Sequence, residues 1–186
     1  MFIRTFSIIM FIFALSACST TAPDSRSDYA KRSEVDANVT HALTTLYSQA
    51  KGSQELIARS KGVLVFPSVL SAGFVVGGEY GEGALLIGKK HGGYYKTTTG
   101  SLGLQAGAQS KTIILVFMTQ DALDKFRNSD GWTAGVDANV ALFNVGADGS
   151  ITTNTAQAPV AGFVLTNGGL MFNVSLQGTK ISKLDI

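Results

Sequence analysis

The stretch that decides the fold is residues 61–87, KGVLVFPSVLSAGFVVGGEYGEGALLI. It opens with an apolar run, breaks at Pro67, and then carries glycines at 73, 77, 78, 81 and 83. Glycine has no side chain and tolerates positive φ, so such a series marks tight turns, bulges or places where two backbones nearly touch. Between and after those glycines stand Phe74, Val75, Val76, Ala84, Leu85, Leu86 and Ile87, residues that mostly favour strands. The stretch reads as a twisted, glycine-kinked strand pair at the centre of a β-rich fold.

A phosphate cradle is the competing reading of the same glycines, and it fails on context. Gly83-x4-Gly88-Lys89 is followed by Lys90, where Ser or Thr would ligate magnesium. The intervening Ala84 to Ile87 also reads as strand, whereas that motif needs a loop entering a helix. Gly78-x-x-Gly81-x-Gly83 carries dinucleotide-type glycines in reversed order, and strand follows there too.

Downstream, Gly88-Lys89-Lys90-His91-Gly92-Gly93 suits a hairpin turn. Strand signals follow at 94–98, 102–108 and 112–118. The last, TIILVFM, is a continuous apolar run and reads as a central strand covered on both faces. Thr119 suits the cap of a short helix with Leu123 and Phe126 on its buried side, ending before Gly131. Residues 132–186 return to strand patterns, with Leu170, Phe172, Val174 and Leu176 alternating against Met171, Asn173, Ser175 and Gln177.

Upstream, Asp28 to Ser60 has helical periodicity. Ser33 with Asp36 is a capping-box signal, and Val35, Val39, Ala42, Leu43, Leu46 and Ala50 form one apolar stripe. Gly52 and Ser53 punctuate it before a second short helix over 54–60. A bilayer-lying helix would need a basic polar face, but Glu34 and Asp36 accompany Lys31, Arg32 and Lys51. The stripe is therefore expected to pack on the β core. The expected fold is α+β: one domain over 28–186 of mainly antiparallel, Gly-kinked strands, barrel- or sandwich-like, with an N-terminal helical region and one short mid-chain helix.

The first residues read as targeting. Arg4 supplies one positive charge, and Phe6 to Leu15 are apolar except for Ser7, too short a run to span a bilayer but suited to a signal-peptide core. Leu15-Ser16-Ala17-Cys18 resembles the bacterial lipobox. That motif implies cleavage after residue 17 and acylation of Cys18 with a diacylglyceryl group and an N-acyl chain such as palmitate. Cys18 is the one cysteine of the chain, so no intramolecular disulfide competes for it. Ser19 in place of Asp favours the outer membrane, with the domain facing the periplasm. Residues 18–27, small, polar and containing Pro23, read as a flexible tether.

Composition narrows the function classes. The 186 residues hold 15 basic and 13 acidic side chains with no dense basic run, which argues against a nucleic-acid partner. A hydrophobic fraction of 45% excludes a disordered chain. No G-x-S-x-G elbow occurs, and His41 and His91 stand alone without zinc-site spacing, His41 as a helix-surface residue and His91 as a solvated turn residue. Asp137-x-Asn139 and Asn144-x3-Asp148-Gly149 lack calcium-loop spacing. No catalytic residue, metal site or cofactor is assigned. Glu79 and Glu82, flanking Tyr80, are the carboxylates that an enzyme reading would use. What the sequence does offer is a set of cations for a lipid surface: Lys89, Lys90, Lys31 and Arg32. Lys89-Lys90-His91, followed by Tyr94 and Tyr95, reads either as a solvated hairpin tip or as a contact for anionic head groups.

The order of segments resembles the SYLF domain family, a module of actin-patch proteins that also occurs in bacterial lipoproteins. The residues that carry the resemblance are Ala58 with Lys61 to Pro67, Gly73 to Gly83, Gly100 to Gln109, Asp137 to Ala141, Gly168 to Leu170 and Val174 to Gly178. The resemblance implies a compact β-rich domain with flanking helices that binds lipid membranes and, in some members, actin filaments. The expected function is thus a non-enzymatic envelope lipoprotein that binds anionic lipid or an envelope partner. An actin-filament-binding module acting outside the cell is the alternative, with an enzyme a further one.

Overall fold

The computed structural model describes residues 25–73, 76–88, 90–102, 107–143, 158–166, 169–170 and 175–186. Cys18, Lys89, Phe172, Val174 and Asn144 to Gly149 lie outside the described residues. Among the described residues three helices, α1 (Ser25–Gln49), α2 (Ser53–Arg59) and α3 (Gln120–Asn128), accompany nine strands. The strands are β1 (Gly62–Gly73), β2 (Val76–Ile87), β3 (Lys90–Leu102), β4 (Gly107–Phe117), β5 (Trp132–Thr133), β6 (Val140–Leu142), β7 (Val160–Thr166), β8 (Gly169–Leu170) and β9 (Lys180–Lys183).

All nine belong to one sheet in the order β5-β9-β3-β2-β1-β4-β7-β6, with β8 on β7. Every pairing is antiparallel except β6 with β7. The ends of that order, β5 and β6, are joined by the six residues Ala134 to Asn139. Such a connection reaches at most about 25 Å, so the two ends of the sheet must approach each other. The sheet curls accordingly into a half-barrel, and the fold is α+β.

Curling divides the core in two. Inside the curl, Leu64, Phe66, Leu85, Tyr95, Ile113, Leu115 and Phe117 meet Leu123 and Phe126 of α3 and Trp132 of β5. On the outer face, Val63, Val65, Ala84, Ile114, Val116 and Phe163 pack under Val35, Val39, Ala42 and Leu46 of α1 and Leu56 of α2. Side chains alternate across a strand, so β1 and β4 feed both cores, and both need apolar residues at every position. The continuous run TIILVFM of β4 is doubly covered for this reason. The α1 stripe packs on the sheet as its spacing implies, with Leu46 fully buried. Gly52, at φ 84°, turns the chain between α1 and α2 in a conformation that a side chain would strain. The Thr119 side chain caps α3 by accepting from the Ala122 N–H at 3.3 Å.

Three local expectations differ from the structure. Helix α1 begins by Ser25, so Ser33 lies inside it and caps nothing. β3 runs unbroken from Lys90 to Leu102 through Gly100, beyond the expected end at Thr98; of the strand expected over 102–108, residues 103–106 lie outside the described residues, Leu102 ends β3, and Gly107 and Ala108 open β4. Pro67 does not break β1. The registers against β2 and β4 both shift there, between Val65 and Ser68 on one side and Phe66 and Val69 on the other. A proline can sit in a central strand at such a bulge because no ladder N–H is required of it, and the Thr112 hydroxyl donates to its carbonyl at 2.7 Å.

Candidate functional site

The bulge at Pro67 marks where the sheet changes character. Below it both faces are apolar and covered. Above it β1 to β4 continue past α1, and polar groups replace the core. Ser71, Glu79 and Lys111, from three neighbouring strands, join in one cluster: Lys111 Nζ donates to Glu79 Oε1 at 2.8 Å, and Ser71 Oγ donates to the same oxygen at 2.8 Å. The side chains of Lys111 and Glu79 are only 17% and 16% exposed, so each charge depends on the other.

Glu82, three residues along β2, faces the opposite side of the sheet and meets α1. Lys31 Nζ donates to its Oε1 at 2.9 Å, and the Tyr80 hydroxyl donates to the same atom at 2.6 Å. Burial raises the Glu82 pKa, but the hydrogen bonds from Tyr80 and Lys31 and the charges of Lys31 and Lys96 outweigh it and hold the carboxyl below its usual range. The carboxylate in turn pushes Tyr80 up to about 12, first by accepting its proton in a hydrogen bond, then through burial and charge repulsion of a phenolate. Glu79 and Glu82 therefore do not form a carboxylate pair; each has its own lysine on its own face.

This arrangement sets a titration. Tyr80 is expected to ionise near pH 12 in the folded chain, and Glu82→Gln to bring its phenolate absorbance to lower pH; an unchanged titration in that variant would remove Glu82 as the cause. The raised folded pKa means that the native state holds the phenolic proton more tightly than the unfolded chain. Its contribution is complete below pH 10 and is lost as pH rises towards 12.

On the other flank of α1, His91 Nε2 lies 2.8 Å from Asp36 Oδ1, and the Tyr94 hydroxyl donates to Asp36 Oδ2 at 3.1 Å. The His91 and Tyr94 rings are 4.4 Å apart. Burial first, and then the Asp36 carboxylate, raise the Tyr94 pKa. His91 is thus an exposed strand residue held to α1, not a turn residue. Tyr95 points the other way, into the inner core.

Of the four cations expected to touch lipid, Lys31 and Arg32 have partners within the domain. Lys31 is paired with Glu82, and Arg32 Nε donates to the carbonyl of Ile186 at 2.5 Å. Lys90 is exposed at the start of β3, opposite Ile87, and Lys89 lies outside the described residues. The partners of Lys31 and His91 come from 51 and 55 residues away, and no local pattern announces them. His41 is exposed on α1 beside a cavity of about 310 Å³ lined also by Thr45, Ser68, Ser110 and Thr112. A second cavity, of about 340 Å³, lies at the seam of the half-barrel between Gly135, Asn139, Val140 and Gln177. Asp137 accepts from the Thr133 N–H at 2.6 Å and shapes the turn beside it. Among the described residues no three His, Cys, Asp or Glu side chains gather as a metal set. Among the same residues no helix is long and apolar enough to cross a membrane.

A family model described as Ysc84, Las17-binding protein actin regulator, matches residues 98–185. The match falls on the SYLF family that the sequence resembles, over residues 98–185. No curated protein matches the chain. The SYLF match starts inside β3, whereas the sheet it contributes to is centred on β1 and covered by α1. Strands β3, β4, β7 and β9 of the SYLF segment flank β1 and β2, which precede it, so the folded unit is wider than the matched residues. The SYLF glycines around Gly100 lie in and beside the projecting ends of β3 and β4.

Proposed function

We propose that this chain is a non-enzymatic envelope lipoprotein, acylated at Cys18 and held at the outer membrane, whose SYLF domain binds a lipid surface on the periplasmic side. One observation carries the reading: Leu15-Ser16-Ala17-Cys18, in a chain with a single cysteine, stands seven residues ahead of α1. An acyl anchor of several chains holds a protein to a bilayer far more firmly than surface charge does, since each buried methylene contributes about 0.8 kcal/mol. The domain then needs no free basic face. The internal pairing of Lys31 and Arg32 fits that economy, and Lys90 with Lys89 remains as the charged contact for anionic head groups. Glu79 and Glu82, each turned to its own lysine, favour a binding role over a catalytic one.

Cys18→Ala is expected to move the protein from the membrane pellet to the soluble fraction and to remove the acyl mass from its N-terminal peptide. A variant that stays in the pellet after a high-salt wash would overturn the anchor. The matched family's description as actin regulators favours a second reading, an actin-filament-binding module acting outside the cell. Co-sedimentation with filaments, together with surface accessibility on intact cells, separates the two.

A further inference from the structure

Towards its N-terminus, α1 stops covering the sheet at Val35, its first buried residue. Past that point the outer faces of β1 and β2 run on beside the helix and are open. Leu70 is 57% exposed and Tyr80 is 46% exposed, side by side as register partners on adjacent strands. A cavity of about 270 Å³ opens there between Lys31, Val35, Leu70 and Tyr80. Exposed large apolar side chains that neighbour one another mark contact surfaces more often than isolated ones do.

The charge around them is already balanced. Lys31 and Glu82 neutralise each other, and the Tyr80 hydroxyl is bound to the same carboxylate, which leaves its ring as the outward surface. Glu34, also on this cavity, is exposed at its rim. In the sequence, residues 68–78 and 97–110 hold no charged residue.

We propose that this flank, Leu70 and Tyr80 beside the N-terminal half of α1, rests on the bilayer. The proposal depends on the acyl-anchor reading for the direction of the membrane. Six residues separate Cys18 from Ser25, a reach of about 25 Å at full extension. That short span keeps the N-terminal end of α1, and with it the flank that Lys31 borders, at the membrane side of the domain. A tyrosine with an apolar ring and a bound hydroxyl is suited to the boundary between head groups and acyl chains. The contact is therefore centred on apolar side chains, with Glu34 left at its rim, and is distinct from the one that Lys89 and Lys90 would make.

The test uses the full acylated chain in vesicles of phosphatidylethanolamine and phosphatidylglycerol containing brominated acyl chains. Leu70→Cys and Tyr80→Cys, each coupled to a polarity-sensitive fluorophore, are compared with Ser48→Cys on the exposed side of α1. The expected result is blue-shifted emission and several-fold stronger bromine quenching at 70 and 80 than at 48. Water-like emission at both positions on the acylated, vesicle-bound chain would overturn the proposal. A blue shift that grows with protein concentration before lipid is added would also overturn it, because a second copy would then be the occupant. Mass spectrometry of Cys18 judges the anchor separately. If Cys18 carries no acyl group, the anchor reading fails, and the same probes in a Cys18→Ser chain with added vesicles decide the flank: quenching at 70 and 80 supports it, and none overturns it.

Discussion

Gly83→Ala is expected to cost on the order of 3 kcal/mol or more of stability, enough to unfold a marginal domain. An added Cβ at this position would land on the Val65 carbonyl oxygen and come within 2.8 Å of Phe66 Cδ1. The obstacle is backbone and a fully buried ring, neither of which can step aside cheaply. The crowding follows from the Pro67 bulge, which brings β1 against β2. Gly81 faces the same wall, 2.9 Å from the Ser68 carbonyl oxygen and 2.7 Å from Val69 Cγ2. Gly78, three residues further out and on the other face of β2, would meet only Thr99 O at 3.9 Å. Gly78→Ala should therefore stay within about 0.5 kcal/mol of the parent, as for an ordinary surface substitution. Urea unfolding of both variants reads the difference as a shift of midpoint at constant slope. Equal midpoints would remove the close-packing account of these glycines.

Phe126→Ala should be as damaging through the opposite defect. Its ring lies 4.9 Å from Tyr95, 4.9 Å from Phe117 and 5.8 Å from Trp132, and so joins α3 to β3, β4 and β5 inside the curl. Truncation leaves a cavity enclosed by strands that are hydrogen-bonded in place and cannot collapse into it, for an expected loss of about 3–5 kcal/mol. Near-ultraviolet circular dichroism should lose its aromatic signal before the far-ultraviolet signal falls. A loss under about 1 kcal/mol would mean that α3 is not a structural plug of the half-barrel.

Much of this frame is legible in the sequence because burial leaves a periodic trace. TIILVFM could only be a strand with two covered faces, the α1 stripe announced its packed side, and Thr119 announced the start of α3. What the sequence hid depends on how elements cross rather than on what they are. The stripe tells which side of α1 faces the sheet, but not that Lys31 will stand over Glu82 or Asp36 over His91 and Tyr94. Lys31 and Arg32 looked free in the sequence only while their partners, Glu82 and the Ile186 carbonyl, were unknown. Pro67 looked like the end of a strand because a bulge leaves no sequence period of its own. Arg26 to Glu34 carries no stripe, since none of those residues is buried, and so the start of the helix was placed too late.

The two ends of the sheet carry a last consequence. β5 has two residues and β6 has three. A domain tethered in a plane meets its neighbours at a concentration far above that of the bulk, where open strand edges would pair from molecule to molecule. Edges this short offer too few free backbone groups to template such growth. At its two ends the half-barrel is therefore a poor template for such pairing, however densely it is held on a surface.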